Sequence, residues 1–582
     1  MGIKPAVAGP CRSQNAARST RNGRRIERTI IFRKSISSGM YGAEEAPEYR
    51  PGGGSFFEQN CGQIFTKGPA LTKEILGKVN AEIVPKRTRM FGREFRTKPI
   101  LMTSGICLLL FASLLVAFVT CLTDTIDDYM LSQLALKNGS DAFAWWQKPP
   151  AKALYKLHIF NYTNIEDYAD GFVDKFDVKE LGPYTYEETL ERVDLSFPTE
   201  DTISFREKRS IRFLPELSKG SETDKLVVPN LPLLSGSAAT KSSNYLVRLG
   251  FDIVVNGMEE NAFVEVAAGA FVTGYQDKLY ELAKNFLPPG TPGKMGIMAD
   301  KSGVSPTRFT INTGAKDIAK LAAVSEVDGA SELGYFSSGE CNSVEGTDGA
   351  LHPPTAVRDK RPLHYFFPQA CRRMPLVYQR ETRVLNGLVP AYRYVHPEDI
   401  FDTVEENPRN GCFCDGLCPP KGVFNISACN YNAPMFLSHP HFHRGDPKLI
   451  EPFVGLQPNR GDFESYFDLH PTMGFAMRVR NLVQINVQVQ KALSVDKVDM
   501  FEDGVILPIA WMEGVVDDTR LPDEVRDIID LVTFTVPIIK LALEYGSLLT
   551  AVITTISLGL VLSRYRRRSK GLLRLQQGYS SS

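Results

Sequence analysis

The chain has no net charge: 67 basic and 67 acidic side chains cancel over 582 residues, so no global electrostatic argument points to nucleic acid. It also lacks the apolar content of a polytopic transporter, since a mean hydropathy of −0.15 leaves room for one or two membrane spans. Catalytic motifs are missing. G-x-S-x-G, H-E-x-x-H, G-x-G-x-x-G and G-x-x-x-x-G-K-[ST], whose spacings serve nucleophile, zinc and phosphate sites, do not occur, and there is no internal repeat. An enzyme is therefore not expected. Acid pairs such as Glu259-Glu260 and Glu405-Glu406 read as solvated surface. With 43% hydrophobic and 10% aromatic residues, wholesale disorder is excluded.

The zero charge is a sum of unlike parts. Residues 1–98 hold 19 Lys/Arg against 8 Asp/Glu, residues 564–582 hold six Lys/Arg and no acid, and the middle carries a net −17. An uncharged apolar run marks each boundary: 23 residues from Ile100 to Leu122 and 19 from Tyr545 to Ser563. Both can span a bilayer, because ~20 helical residues match its hydrocarbon core. A buried core helix is the competing reading, and the flanks argue against it. Arg93, Arg96 and Lys98 precede the first run while Asp124, Asp127 and Asp128 follow it; Glu544 precedes the second, and Arg564, Arg566, Arg567, Arg568 and Lys570 follow it. The positive-inside rule then places both ends in the cytosol and the middle outside or in a lumen. The first run starts only at residue 100, so it reads as an uncleaved signal anchor. The expected segments are a basic disordered tail (1–98), a first span (99–122), an extracellular or luminal domain (123–544), a second span (545–563) and a basic tail (564–582).

The sequons and cysteines agree with that topology. The three N-x-S/T sequons, at Asn138, Asn161 and Asn425, fall between the runs. Of ten cysteines, six (Cys341, Cys371, Cys412, Cys414, Cys418 and Cys429) crowd into 89 residues of the middle, an even number suited to an oxidising compartment. His439, His441 and His443 lie close by, and alternate residues of an extended strand share a face. No C-x-x-C pair is present, and thiols outside the cell are consumed as disulfides, so neither metal nor cofactor is expected.

Strand signals dominate the middle. Asn386-Gly387 between β-formers marks a hairpin, Ile485 to Gln490 alternates with period two, and Tyr155 to Tyr162 and Val505 to Trp511 read as strands. Ala262 to Phe286 reads as helix, closed by Pro288-Pro289. The expectation is a large, closed antiparallel sheet with helical insertions.

Several stretches together carry a resemblance: Glu180-Leu-Gly-Pro-Tyr-Thr-Tyr186, Gly274-Tyr275, Glu406-Asn-Pro408 running into Cys412-Phe-Cys414, Pro440-His-Phe442, Glu451 to Asn459, Tyr466 to Gly474, and Leu507-Pro-Ile-Ala-Trp511. In order and spacing over roughly residues 100–565 the chain resembles the class B scavenger receptors, the family of fatty acid translocase, lysosomal integral membrane protein and sensory neuron membrane protein. The resemblance implies an α+β membrane protein. Its ectodomain would be a large antiparallel β-barrel with a helical apex bundle and an internal apolar tunnel, anchored by two transmembrane helices. It implies the disulfides Cys341–Cys412, Cys371–Cys429 and Cys414–Cys418, the last closing an unusually short loop for the family.

The function implied is a receptor that binds lipid or lipoprotein at its apex and passes lipid through the tunnel to the membrane. The apex falls on Asn244 to Asn285, with Lys241, Arg248, Phe251, Met258 and Phe263 as candidate contacts. Some relatives carry a Lys cluster there. This chain has Asn256-Gly-Met258-Glu259-Glu260-Asn261, with Lys241 and Arg248 the cations nearby, which favours a neutral ligand. The implied partners are lipids (fatty acid, sterol, carotenoid or phospholipid), lipoprotein particles, a luminal or extracellular protein cargo and a second copy of the chain. The rival reading is a lysosomal cargo receptor with pH-dependent release through some of the eight histidines. The C-terminal tail has Leu572-Leu573 without any acid, which favours the plasma membrane over the lysosome.

Overall fold

The computed structural model describes residues 97–288, 291–414, 418–461 and 463–579. The basic tail expected over 1–98 lies outside the described residues except for its last two positions. The helices used below are α1 (Thr97–Leu122), α2 (Leu231–Thr240), α3 (Tyr245–Gly257), α4 (Ala268–Thr273), α5 (Lys278–Ala283), α6 (Asp523–Asp530) and α7 (Val536–Tyr579). The main strands are β1 (Leu154–Tyr162), β2 (Phe176–Thr199), β3 (Thr202–Phe213), β4 (Gly303–Asn312), β5 (Val324–Val327) and β6 (Leu363–Phe367). They continue with β7 (Arg372–Val384), β8 (Val389–Val395), β9 (Tyr466–Leu469), β10 (Ala476–Gln488) and β11 (Ile506–Val516).

The strands hydrogen-bond along the path β5-β4-β3-β2-β1-β11-β10-β9-β8-β7-β6, with antiparallel registers throughout. Both ends of the path meet one short segment. Val324 N–H of β5 donates to Gly346 O at 2.7 Å, Thr347 N–H donates to His364 O at 3.0 Å, and Phe366 N–H of β6 donates to Thr347 O at 2.9 Å. Gly346 and Thr347 thus bridge β5 to β6 and nearly close the barrel. A Cβ on Gly346 would sit 2.8 Å from Phe366 N, so glycine is what allows this approach.

Partners directly opposite in a ladder share a face. Leu157 opposes Met512 and Ile159 opposes Ala510, which in turn oppose Val483 and Ile485. Asn481, on that same side of β10, comes within side-chain reach of Tyr365 of β6, four strands along the path. Such reach requires the sheet to curl, so this face is the concave interior. It carries an apolar core of Leu157, Ile159, Tyr184, Tyr186 and Ala510, continuous with Leu233, Leu234, Val255 and Phe271 of the helical bundle. A second core, with Leu136, Phe143 and Trp146 packed on Ile203, Phe205 and Phe309, adjoins the segment that follows α1.

α1 and the long stretch containing α7 are apolar and long enough to cross a membrane. Their apolar side chains face outward, with Leu108 at 71% and Leu549 at 62% exposed, which rejects the buried-core-helix reading. The helices pack along small residues: Ser113, Ala117 and Thr120 of α1 and Ser547, Ala551 and Thr554 of α7 are buried. Lys540 of α7 pairs at 2.8 Å with Asp127 of the short helix Thr125–Ser132 that follows α1.

One sequence expectation needs correction. Ala262 to Phe286 is not one helix. Phe263–Ala267 is a strand paired with Lys225–Pro229, followed by α4, a Gly274 at φ 126° and α5. The Phe263-Val-Glu-Val alternation and the glycine override the alanine content. The polar side of β10 is buried. Gln484 and Asn486 are both fully buried. Gln484 accepts from His441 N–H at 2.6 Å and donates to Asn486 at 2.7 Å, beneath the segment 423–461 that covers this outer face. By contrast, Asn386 and Gly387 take positive φ in the β7–β8 turn as expected.

Candidate functional site

The helical bundle begins with Asn230, whose side chain accepts from Leu233 N–H and so caps α2. Asn244 caps α3 in the same way through Val247 N–H at 3.1 Å. α3 turns Val255 inward at 0% exposure. It also sets the Phe251 ring against Gly236 of α2, where a Cβ would collide with the ring. Its other face points outward: Tyr245 is 56%, Leu246 75% and Ile253 62% exposed. Leu282 and Phe286, on and just beyond α5, are exposed as well.

The two cations picked out from the sequence each have a partner, and Lys278 and Lys284 lie at the apex as well. Lys241 meets both carboxylate oxygens of Asp503 at 2.8 Å, and Arg248 donates to Ser243 O at 2.8 Å. Met258 caps α3, and its carbonyl accepts from Lys278 at 2.7 Å. Phe263 is half-buried below the bundle, its ring 4.9 Å from Tyr162 and 5.7 Å from Phe501. Lys241, Arg248, Phe251 and Met258 thus belong to α2, α3 and their flanks, whereas Phe263 belongs to the aromatic floor beneath them.

A charged cluster lies on the outer face of the barrel. Glu180 Oε1 accepts from His158 Nδ1 at 2.6 Å, and Oε2 accepts from His441 Nε2 at 3.0 Å and from Arg460 at 2.6 Å. His158 stacks flat on Trp511 at 3.8 Å. Burial alone would raise the Glu180 carboxyl, but hydrogen bonds from His158, His441 and Arg460 prevail and hold it well below the usual carboxylate range. Glu180, His441 and Trp511 come from three of the stretches that carry the family resemblance, and the fold brings them to one place. The three neighbouring histidines do not converge. His441 serves Glu180, His443 Nδ1 lies 2.7 Å from Pro458 O, and His439 packs on Phe401.

The six cysteines meet in pairs: Cys341 with Cys412, Cys371 with Cys429 and Cys414 with Cys418, at Cα separations of 6.1, 5.8 and 5.0 Å. Of the sequons, Asn138 is exposed beside a turn. Asn161 is half-buried on β1 and accepts from Val227 N–H at 2.7 Å, while Asn425 accepts from Ser427 N–H at 2.9 Å.

Residues 103–562 match the CD36 family. The chain belongs to the CD36 family. It is 32% identical over 424 residues to scavenger receptor class B member 1 of Mus musculus, covering 72% of this chain and 82% of that protein. Identity to the Bos taurus protein of that name is also 32%, with the same coverage. Lysosome membrane protein 2 of Mus musculus is 28% identical over 446 residues, covering 75% of this chain and 90% of the relative. This CD36-family chain is accordingly a membrane receptor, with a nearly closed antiparallel barrel between two membrane-spanning helices.

Sequence reasoning missed a group of charges inside the barrel. Tyr155, Glu188, Arg209 and Lys301 meet on the concave face, with Arg209 2.6 Å and Lys301 3.4 Å from Glu188 Oε1. The only signal available was acidic and basic residues at inward positions of β2 and β3, and this cannot be distinguished from solvated alternation without knowing the curvature.

Proposed function

We propose that the receptor takes lipid on the uncharged apolar face of α3 and delivers it through the barrel interior to the bilayer. The observation that carries this reading is the exposed row Tyr245, Leu246 and Ile253 standing over an apolar core that runs from the bundle into the barrel. An acyl chain in water loses ~0.8 kcal/mol per exposed CH₂, so an apolar path lowers the transfer barrier without any catalytic group. Because Lys241 pairs with Asp503 and the exposed row on α3 carries no cation, a neutral lipid or sterol suits the apex better than an anion. On this reading both termini are cytosolic and the six cysteines are oxidised. Glycans sit on Asn138, Asn161 and Asn425, and the receptor resides at the plasma membrane.

The test is lipid extracted from the purified full chain, together with uptake of a fluorescent sterol by cells expressing it. Bound lipid and saturable uptake support the proposal; absence of both overturns it. Co-precipitation of a single hydrolase at pH 7 but not at pH 5 would instead establish the cargo-receptor reading.

A further inference from the structure

The end of α7 carries a charge that neither the barrel nor the helical bundle uses. Arg564, Arg566, Arg567, Arg568, Lys570 and Arg574 follow the second span, and no acid occurs between Tyr545 and Ser582. α7 stays helical through all six positions. Their side chains are exposed, and none has a partner among the described residues.

Helical geometry gathers these cations. At ~100° per residue they occupy an arc of ~200°, with Tyr565, Ser569 and Leu573 in the remaining ~160°. Arg564 stands three or four positions from Arg567 and Arg568, and Lys570 from Arg566, Arg567 and Arg574, spacings at which like charges destabilise a helix. The run Arg564–Lys570 rises ~10 Å along the axis, close to the ~5–8 Å depth of the polar layer that bounds ~30 Å of hydrocarbon. Tyr565 is exposed at its start, an aromatic of the kind that settles at the membrane boundary. The cations therefore stand among lipid phosphates.

Orienting the span needs only positive charge. Four of the five cations in Arg564–Lys570 are arginine, whose planar fork grips a phosphate through two parallel hydrogen bonds. A diester phosphate offers a single charge. A phosphomonoester offers nearly two, on three strong acceptor oxygens. A head group with two phosphomonoesters thus answers several guanidinium groups at once and relieves their mutual repulsion.

We propose that Arg564–Lys570 is a cytosolic binding site for an inositol phospholipid of the inner leaflet, gripped through its phosphomonoesters. This rests on the cytosolic placement of the C-terminal tail above. Such a site holds the receptor in membranes that carry the lipid, whatever the ectodomain binds.

The test measures binding of a fluorescent dioctanoyl phosphatidylinositol bisphosphate to the full chain in phosphatidylcholine nanodiscs, with dioctanoyl phosphatidylserine and inorganic phosphate as competitors. Binding that neither competitor displaces at equal concentration is expected. Arg566→Gln, Arg567→Gln and Arg568→Gln together should weaken it roughly tenfold. Lys at the same three positions should restore part of the loss, which a misfolded variant does not give. Binding that the Gln set leaves intact, that Lys restores in no part, or that phosphatidylserine displaces as well as unlabelled phosphoinositide does, overturns the site. Nanodiscs expose both leaflets, so these results do not depend on orientation. The placement has its own readout: a C-terminal tag stained by antibody in unpermeabilised cells overturns the cytosolic reading, and the inner-leaflet site falls with it.

Discussion

Glu180 tethers the segment around His441 and Arg460 to β1 and β2. Glu180→Ala strands His158 and His441 without their acceptor and is expected to cost about 3 kcal/mol, read by chemical denaturation of the full chain in detergent. The sign with pH follows from the depressed carboxyl. Its stabilisation is fully present above the unfolded value of about 4.3 and is lost as pH falls towards the lower folded value. Glu180→Ala should therefore flatten whatever part of the acid decline in thermal stability falls below about pH 4.3. Five buried histidines add an earlier decline, because the unfolded chain binds protons below about pH 6.5 that these side chains refuse in the fold. Burial lowers His352, His364, His396 and His470 to about 4 and His439 to about 3, so these five remain neutral at endosomal pH. At this scale the sequence showed which stretches mattered but not why. Glu180, His441 and Trp511 stand far apart in the chain, and only the fold reveals that they share one contact.

For the elements, α3 presents the decisive test. Leu246 is 75% exposed, so Leu246→Asp should change stability by less than about 0.5 kcal/mol while reducing labelled-lipid uptake several-fold. Unchanged uptake would remove α3 from the entry site. The disulfides make an independent prediction. Loop-closure entropy assigns about 4 kcal/mol to a bridge spanning dozens of residues and about 2 kcal/mol to one spanning a few. Cys371 and Cys429 are 58 apart, Cys414 and Cys418 only 4. Replacing the first pair with Ser should therefore lower the denaturation midpoint more than replacing the second. The sequence made strands β1, β11 and the β7–β8 turn legible, because period-two alternation and Asn-Gly are local signals. It misled over Ala262 to Phe286, where a partner strand 34 or more residues upstream decided the conformation.

Taken whole, the receptor's two anchors were the most legible feature, since charge flanks and apolar length are intrinsic to the chain, and the exposed faces of α1 and α7 agree with them. Barrel closure through Gly346 and Thr347 was not legible, because it depends on two backbone groups reaching strands from opposite ends of the path. The proposed topology predicts that glycosidase shifts the mobility of the chain and that Asn138→Gln removes part of the shift.

The most direct measurement of the central claim is transfer of a fluorescent sterol from donor particles into liposomes holding the full chain, compared with Met512→Trp, which adds bulk to the concave face between Leu157 and Val483. Transfer by the wild type that Met512→Trp abolishes while apex binding persists is the predicted result. Equal transfer by the two, with the variant folded, would contradict passage through the interior.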